Sequence, residues 1–158
     1  MGFKVNVEEG AGLQAGYMDS QYRKAGASIE SSSLVLKSDV IIKIRPPSFN
    51  ELEQMREKSL LISYLYLNEN GELKERLKEM KNLKVFALEC TPRLTRAQKL
   101  DTLSSTTNLS GYRGVLEAFT HLPKFSKGQV TAAGKIEPSK VFVIGAGVAG
   151  LAAIGVSK

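Results

Sequence analysis

Val141-Phe142-Val143-Ile144-Gly145-Ala146-Gly147-Val148-Ala149-Gly150-Leu151-Ala152 is the stretch whose reading decides the fold. Its first four residues are apolar and β-branched or aromatic, the composition of a buried strand. Three glycines follow at the spacing G-x-G-x-x-G, and Leu151-Ala152-Ala153-Ile154 carries the chain on as a helix. Strand, glycine turn and helix together form the context in which this triplet binds the pyrophosphate of a dinucleotide. Gly145 would turn the chain, Gly147 would let backbone approach the phosphates, and Gly150 would let helix and strand pack closely. The anion would rest on the helix N-terminus, where unpaired N–H groups and the helix dipole favour negative charge. An acidic residue that holds the adenine ribose is expected about 20 residues further on, past Lys158. The strand that would cover the other half of the βαβ unit is expected there too, so Lys158 does not read as a natural domain end.

Upstream, short apolar runs alternate with helical patterns. Residues 3–7 read as a strand and Gly10-Ala11-Gly12 as a turn. Residues 19–25 read as a short helix capped by Asp19 or Ser20, and residues 34–36 as another helical turn. The run 40–44 is a strand that Pro46-Pro47 stops. Residues 49–57 read as a helix with Leu52 and Met55 on one face, and 60–65 as a strand. Residues 71–81 form an amphipathic helix with Leu73, Leu77 and Met80 on one stripe. Residues 83–88 are again a strand. Strands joined by helical crossovers imply a parallel, doubly wound α/β layer. The strands are almost wholly apolar, which suits a sheet covered on both faces.

The second half reads differently. Residues 96–119 form one long helix or a broken pair, with Leu100, Leu103, Leu109, Tyr112, Leu116 and Phe119 at helical spacing. The polar loop 124–128 is the candidate boundary. It divides residues 1–127, an incomplete first lobe with a linking helix, from residues 128–158, the opening strand and helix of a second.

Bulk properties narrow the function. In 158 residues there are 42% hydrophobic and 24% charged residues, as in an ordinary globular chain. The Gly-rich run 141–156 is shorter than the about 20 residues of a membrane helix. No secretory signal is read at the N-terminus, and Asn6 does not suit the myristoylation pattern that Met1-Gly2 invites. The net charge of +6 is interleaved with acids, as in Glu72-Leu73-Lys74-Glu75-Arg76, so a solvated surface is expected rather than a nucleic-acid footprint. Cys90 is the only cysteine, which excludes an internal disulfide and suits a reducing compartment. It closes an apolar run and reads as a buried, inert thiol, because reactive thiols need an electropositive neighbourhood. One cysteine and one histidine, His121, make no metal site, and His121 is expected at a surface or helix end.

Pro92-Arg93-Leu94-Thr95-Arg96-Ala97-Gln98-Lys99-Leu100-Asp101-Thr102-Leu103-Ser104-Ser105 follows a strand end, the edge at which α/β sheets place ligands. Arg93, Gln98, Asp101 and Ser104 offer donors and acceptors that could orient a carboxamide. On chemistry alone the preferred reading is a capped helix, with Thr95 as cap and Gln98 closing a capping box.

The segment 93–105, with Asn108-Leu109-Ser110-Gly111-Tyr112-Arg113 after it, resembles the nicotinamide-site loop and following helix of the proton-translocating nicotinamide nucleotide transhydrogenases. Thr131-Ala132-Ala133-Gly134-Lys135-Ile136 and the stretch 141–152 are similar to the opening of that family's second domain. Glu8-Glu9-Gly10-Ala11-Gly12 is similar to its early turn, often Glu-Ser-Gly-Ala-Gly. The likeness is to the NAD(H)-binding component, in the alanine dehydrogenase/PNT superfamily, and it runs through essentially the whole chain.

This resemblance implies two Rossmann-like lobes with NAD(H) in the cleft. It implies hydride transfer to or from NADP(H) on another component, coupled to proton passage through a membrane component. Arg93, Gln98, Asp101 and Ser104 would position the nicotinamide, with Leu94, Thr95, Lys99 and Leu100 also at the cofactor. Gly145, Gly147, Val148, Ala149 and Gly150 would take the pyrophosphate. No acid or base is needed, because hydride passes between two bound rings and positioning dominates. The implied partners are the NADP(H)-binding and membrane components and, in the complete component, a second copy. The implied place is the soluble face of a membrane enzyme, on the matrix side of the mitochondrial inner membrane or the cytoplasmic side of a bacterial one. Residues 128–135 look closer to mitochondrial members. The family begins with a further strand and helix, so the chain is expected to be truncated at both ends and inactive alone.

Two alternatives stand beside it. An alanine dehydrogenase uses a lysine and a histidine on its substrate lobe. Lys43 falls where such a lysine could lie, but Tyr66 takes the place of the histidine. The other alternative is a non-catalytic remnant.

Overall fold

The computed structural model describes residues 2–92 and 94–158, which form two compact units, residues 1–90 and 91–158. The polar loop 124–128 therefore lies within the second unit.

The first unit is α/β, and every strand pair in it is parallel. Strand β1 (Asn6–Glu8) leads through a glycine turn and helix α1 (Asp19–Lys24) to β2 (Ser28–Glu30), which pairs with β1, Val7 opposite Ile29. After α2 (Ser32–Val35) come β3 (Val40–Ile42), α3 (Phe49–Gln54), β4 (Leu60–Ser63), α4 (Gly71–Glu79) and β5 (Lys84–Ala87). These three strands form a sheet in the order β3-β4-β5, with Ile41 opposite Leu61 and Leu61 opposite Val85. The expected single layer is thus two parallel sheets. Strand β2 escaped the sequence reading because Ser28-Ile29-Glu30 carries one apolar residue.

Local chemistry explains the helices. Ser48 caps α3 by accepting the Glu51 N–H at 3.3 Å, while Glu51 accepts the Ser48 N–H at 2.6 Å. This reciprocal pair satisfies two donors that the first turn leaves without partners. Asn70 caps α4 by a single bond, its side-chain oxygen accepting the Leu73 N–H at 3.3 Å. Helix α1 departs from expectation. Neither Asp19 nor Ser20 caps it: Met18 holds the cap position, and the Asp19 carboxylate accepts the Gly10 N–H at 3.0 Å, so it ties the glycine turn instead.

Leu36, Ile41, Leu52, Met55, Leu61, Leu65 and Leu73 make the core, with Leu77 and Met80 packed against it. The stripe read on residues 71–81 therefore faces inward as expected. The sheet, however, is not covered on both faces. Ile41, Leu61 and Ser63 on one face are buried, whereas Val40, Ile42 and Phe86 on the other are exposed, Ile42 by 74%. Side chains alternate along a strand, and only one face has helices of this unit against it.

The second unit begins with a 3₁₀ segment, Thr95–Leu100, and the 20-residue helix α5 (Thr102–His121). Of the two forms open for residues 96–119, the broken pair is the one observed. A hairpin, β6 (Gln129–Thr131) with β7 (Gly134–Ile136), is antiparallel and was not foreseen. Its turn closes with Gly134 at φ +115°. Residues 140–144, expected as a strand, carry no ladder, because no other strand among the described residues lies alongside them. Helix α6 (Val148–Ser157) ends the chain and packs on α5, the most extensive contact between any two elements. No helix among the described residues is long and apolar enough to cross a membrane.

Candidate functional site

The three glycines of the 145–150 turn meet three different steric situations. Gly145 has φ +98°, a conformation that side chains rarely tolerate, and this sharp turn brings the chain into α6. A Cβ at Gly150 would lie 2.0 Å from the Gly145 carbonyl oxygen and 3.5 Å from Cγ1 of Val143, so only hydrogen fits. A Cβ at Gly147 would meet nothing within 4 Å. That position is bare backbone facing open space, a cradle that a side chain would fill. Gly147 is also the N-cap of α6, and no side chain caps the helix there. The first intrahelical bond runs from the Leu151 N–H to the Gly147 carbonyl at 2.9 Å. The N–H groups of Val148, Ala149 and Gly150 precede it in the first turn, and such groups have no intrahelical acceptor. No acidic residue occupies that turn.

An open cleft of about 300 Å³ lies at this turn, lined by Leu103, Ser104 and Thr107 of α5 and by Ile144, Gly145 and residues 147–150. Ser104 and the predicted glycine-turn residues Gly145, Gly147, Val148, Ala149 and Gly150 thus come together. Asp101 stands directly behind Ser104. Its carboxylate accepts the Ser104 N–H at 3.1 Å and the Ser104 hydroxyl at 2.6 Å, and so caps α5. The capped-helix reading of the loop therefore named the wrong cap. Thr95 opens a 3₁₀ segment whose N-cap position is Leu94, with no side-chain cap bond, and the residue that caps a helix is Asp101. An ionised carboxylate is the stronger acceptor at a helix start, and it lies next to the longer helix.

Leu94, Thr95, Gln98, Lys99 and Leu100 are exposed and do not line the cleft. Arg93 lies outside the described residues. Leu103, Thr107 and Ile144 line the cleft but were missed as site residues. The available signal was spacing: Ser104, Thr107 and Gly111 recur at three and four residues, one stripe of a helix. Small polar residues carry no hydrophobic period, and the apolar set read instead is only partly turned inward, with Leu103, Leu116 and Phe119 half-buried. Leu109 and Tyr112 are exposed, while Val115 is the buried residue of α5.

In the first unit, Lys43 and Tyr66 stand at the carboxyl ends of β3 and β4. Lys43 makes an ion pair and hydrogen bond with Glu51. Partial burial works against ionisation of Glu51, but the bonds from Lys43 and the Ser48 N–H, with the Lys43 charge, outweigh it and hold the carboxyl below its usual value. Tyr66 takes a left-handed φ of +49° and stacks on Tyr64 at 5.7 Å. The Glu89 carboxylate holds this turn by accepting the N–H groups of Leu65 and Tyr66, the latter at 2.7 Å. Next to it Cys90 is exposed, not buried, because the β5 run ends in a short 3₁₀ turn at the surface. His121 is the exposed last residue of α5, as expected, within 3.3 Å of Glu117.

The family model described as "Alanine dehydrogenase/PNT, N-terminal domain" matches residues 1–110, and "Alanine dehydrogenase/PNT, C-terminal domain" matches residues 114–158. The chain is 47% identical over all its 158 residues to NAD(P) transhydrogenase subunit alpha of Haemophilus influenzae, of which it covers 31%. The crystal structure of transhydrogenase from Sinorhizobium meliloti superposes with a TM-score of 0.94 at 40% identity, over 99% of this chain and 47% of that one. Alanine dehydrogenase of Bacillus subtilis is 30% identical over 94% of this chain and 39% of its own length. The chain spans less than half the length of each. It is more similar to the transhydrogenases than to this dehydrogenase. With one domain model matched by the strands and loop of residues 1–110 and the other by the helix end, hairpin and glycine turn, the chain belongs to the alanine dehydrogenase/PNT family.

Proposed function

We propose that this chain forms part of the NAD(H)-binding component of a transhydrogenase, in which hydride passes between NAD(H) and NADP(H) with coupled proton translocation. The observation that carries the reading is the turn at 145–150. Gly145 makes it, Gly150 is locked against it, and Gly147 is left bare beside N–H groups free to receive an anion. The pyrophosphate would sit on the N–H groups of Val148, Ala149 and Gly150, and NAD(H) bound there supplies the redox chemistry. The chain's own residues hold and orient. Asp101 fixes Ser104 at the cleft wall, and Arg93 and Gln98, with Leu94, Thr95, Lys99 and Leu100 around them, would keep the nicotinamide end in register. Positioning of this kind is worth several orders of magnitude in rate without any acid or base.

The lobe boundary of the complete protein is proposed at residues 127 and 128. Its partners are an NADP(H)-binding component, a membrane component and a second copy, at the soluble face of a membrane. The features of the first unit support transhydrogenation over alanine oxidation. Lys43 is taken up by Glu51, and a tyrosine stands where the dehydrogenase reading needs a histidine. Two measurements test the reading. NADH titrated calorimetrically into the protein should give saturable heat. The complete enzyme should exchange hydride with NADP(H) and leave alanine unoxidised. Absence of NADH heat, or alanine-dependent NADH formation, refutes it.

A further inference from the structure

We infer that Gly111 is a fourth glycine of the nucleotide site, a positioning residue on α5 whose missing side chain lets the first turn of α6 be held in line with the Asp101–Ser104 end of α5. The inference rests on the dinucleotide reading above. A Cβ built on Gly111 would lie 2.1 Å from the Ala149 carbonyl oxygen, 2.7 Å from its carbon and 2.8 Å from its Cα. All three atoms are backbone of the turn whose N–H groups face the cleft, so no rotamer change can relieve the contact. To reach ordinary contact at 3.4 Å the oxygen would have to recede by about 1.3 Å.

Gly111 shares a stripe of α5 with Ser104 and Thr107, both of which line the cleft. One rigid helix therefore carries the Asp101 cap at its start and, about 15 Å further along its axis, the seat of the pyrophosphate turn. The distance between the two halves of the site is set by how closely α6 can approach α5, and Gly111 sets that approach. The other glycine of this helix, Gly114, gives an internal contrast, since a Cβ there would meet nothing within 4 Å.

The test compares Gly111→Ala with Gly114→Ala by NADH calorimetry, at a temperature where circular dichroism shows both variants folded. Gly111→Ala should weaken NADH about ten- to a hundredfold, the loss expected when charge-assisted hydrogen bonds to a pyrophosphate are misaligned. Gly114→Ala should leave affinity unchanged. A folded Gly111→Ala variant with unchanged NADH affinity overturns the inference, because a glycine that merely packs would alter only the melting temperature. A second readout needs no variant. In the unsubstituted protein, NADH should slow amide exchange at residues 108–115, beyond the cleft, as well as at 148–150. Protection confined to 148–150 also overturns the inference. Unsubstituted protein that takes up no NADH refutes the nucleotide reading itself, a failure visible before any variant is made.

Discussion

Replacing Gly150 with alanine should damage folding and nucleotide binding together, whereas replacing Gly147 with valine should damage binding far more than folding. The Cβ added at position 150 would stand 2.0 Å from the Gly145 oxygen and 2.9 Å from its carbonyl carbon. Ordinary contact begins at 3.4 Å, so the Gly145 turn and the helix must separate by about 1.4 Å. Overpacking of this kind costs about 1–3 kcal/mol. In a chain of this size each kcal/mol lowers the melting temperature by about 2–4 °C, so the midpoint should fall by about 2–12 °C. The same separation moves the first turn of α6, and misaligned charge-assisted bonds worth about 1.5–3 kcal/mol should weaken NADH by about ten- to a hundredfold. At Gly147 nothing lies within 4 Å of the added Cβ, so no backbone clash forces turn and helix apart, and the stability lost is limited to the poorer N-cap that valine makes. The valine would instead occupy the space through which backbone reaches the phosphates, and binding should be abolished. Scanning calorimetry and NADH titration on the two variants decide the matter. A Gly147→Val variant that binds NADH normally, or a Gly150→Ala variant with unchanged melting and affinity, would refute the assignment of separate roles to the glycines.

Arg93→Ala in the complete enzyme should lower hydride transfer by roughly ten- to a hundredfold, because a ring misplaced by about 1 Å loses that much rate. NADH affinity should change far less, and unimpaired transfer would remove Arg93, Gln98 and Asp101 from the site. Asp101→Ala deletes the cap of α5 and should destabilise the protein by about 1 kcal/mol in denaturant melts, with Asp101→Asn recovering most of it, since asparagine also caps. The Lys43–Glu51 pair should make stability pH-dependent. The Glu51 carboxyl is depressed in the folded state, so its contribution is present above its usual value of 4.5 and is lost as pH falls through the lower folded value. The stability gap between the unsubstituted protein and Glu51→Gln, read from urea melts, should therefore close on acidification, and a gap that widens would contradict the pairing.

Residue order alone was enough for the elements whose hydrogen bonds and patterns are local. The glycine turn at 145–150, the amphipathic helix read at 71–81, the stripe of Leu73, Leu77 and Met80 and the parallel class of the first unit all follow from spacings of two to four residues and from short crossovers. The motif at 93–105 carried its meaning as a resemblance, since its chemistry alone pointed to a capped helix with the wrong cap. The rest depended on which segments the fold brings against one another. Residues 140–144 have no ladder, because a strand exists only by pairing with another. Cys90 and one face of β3–β5 are exposed, because covering a surface depends on what the chain brings against it. Helix α5 is turned so that Ser104, Thr107 and Gly111 face the cleft side while Leu109 and Tyr112 stay exposed. A helix buries the face on which a neighbour fits most closely, and against a backbone 2.1 Å from the nearest possible Cβ that face is built of small residues, which a hydrophobic period cannot reveal.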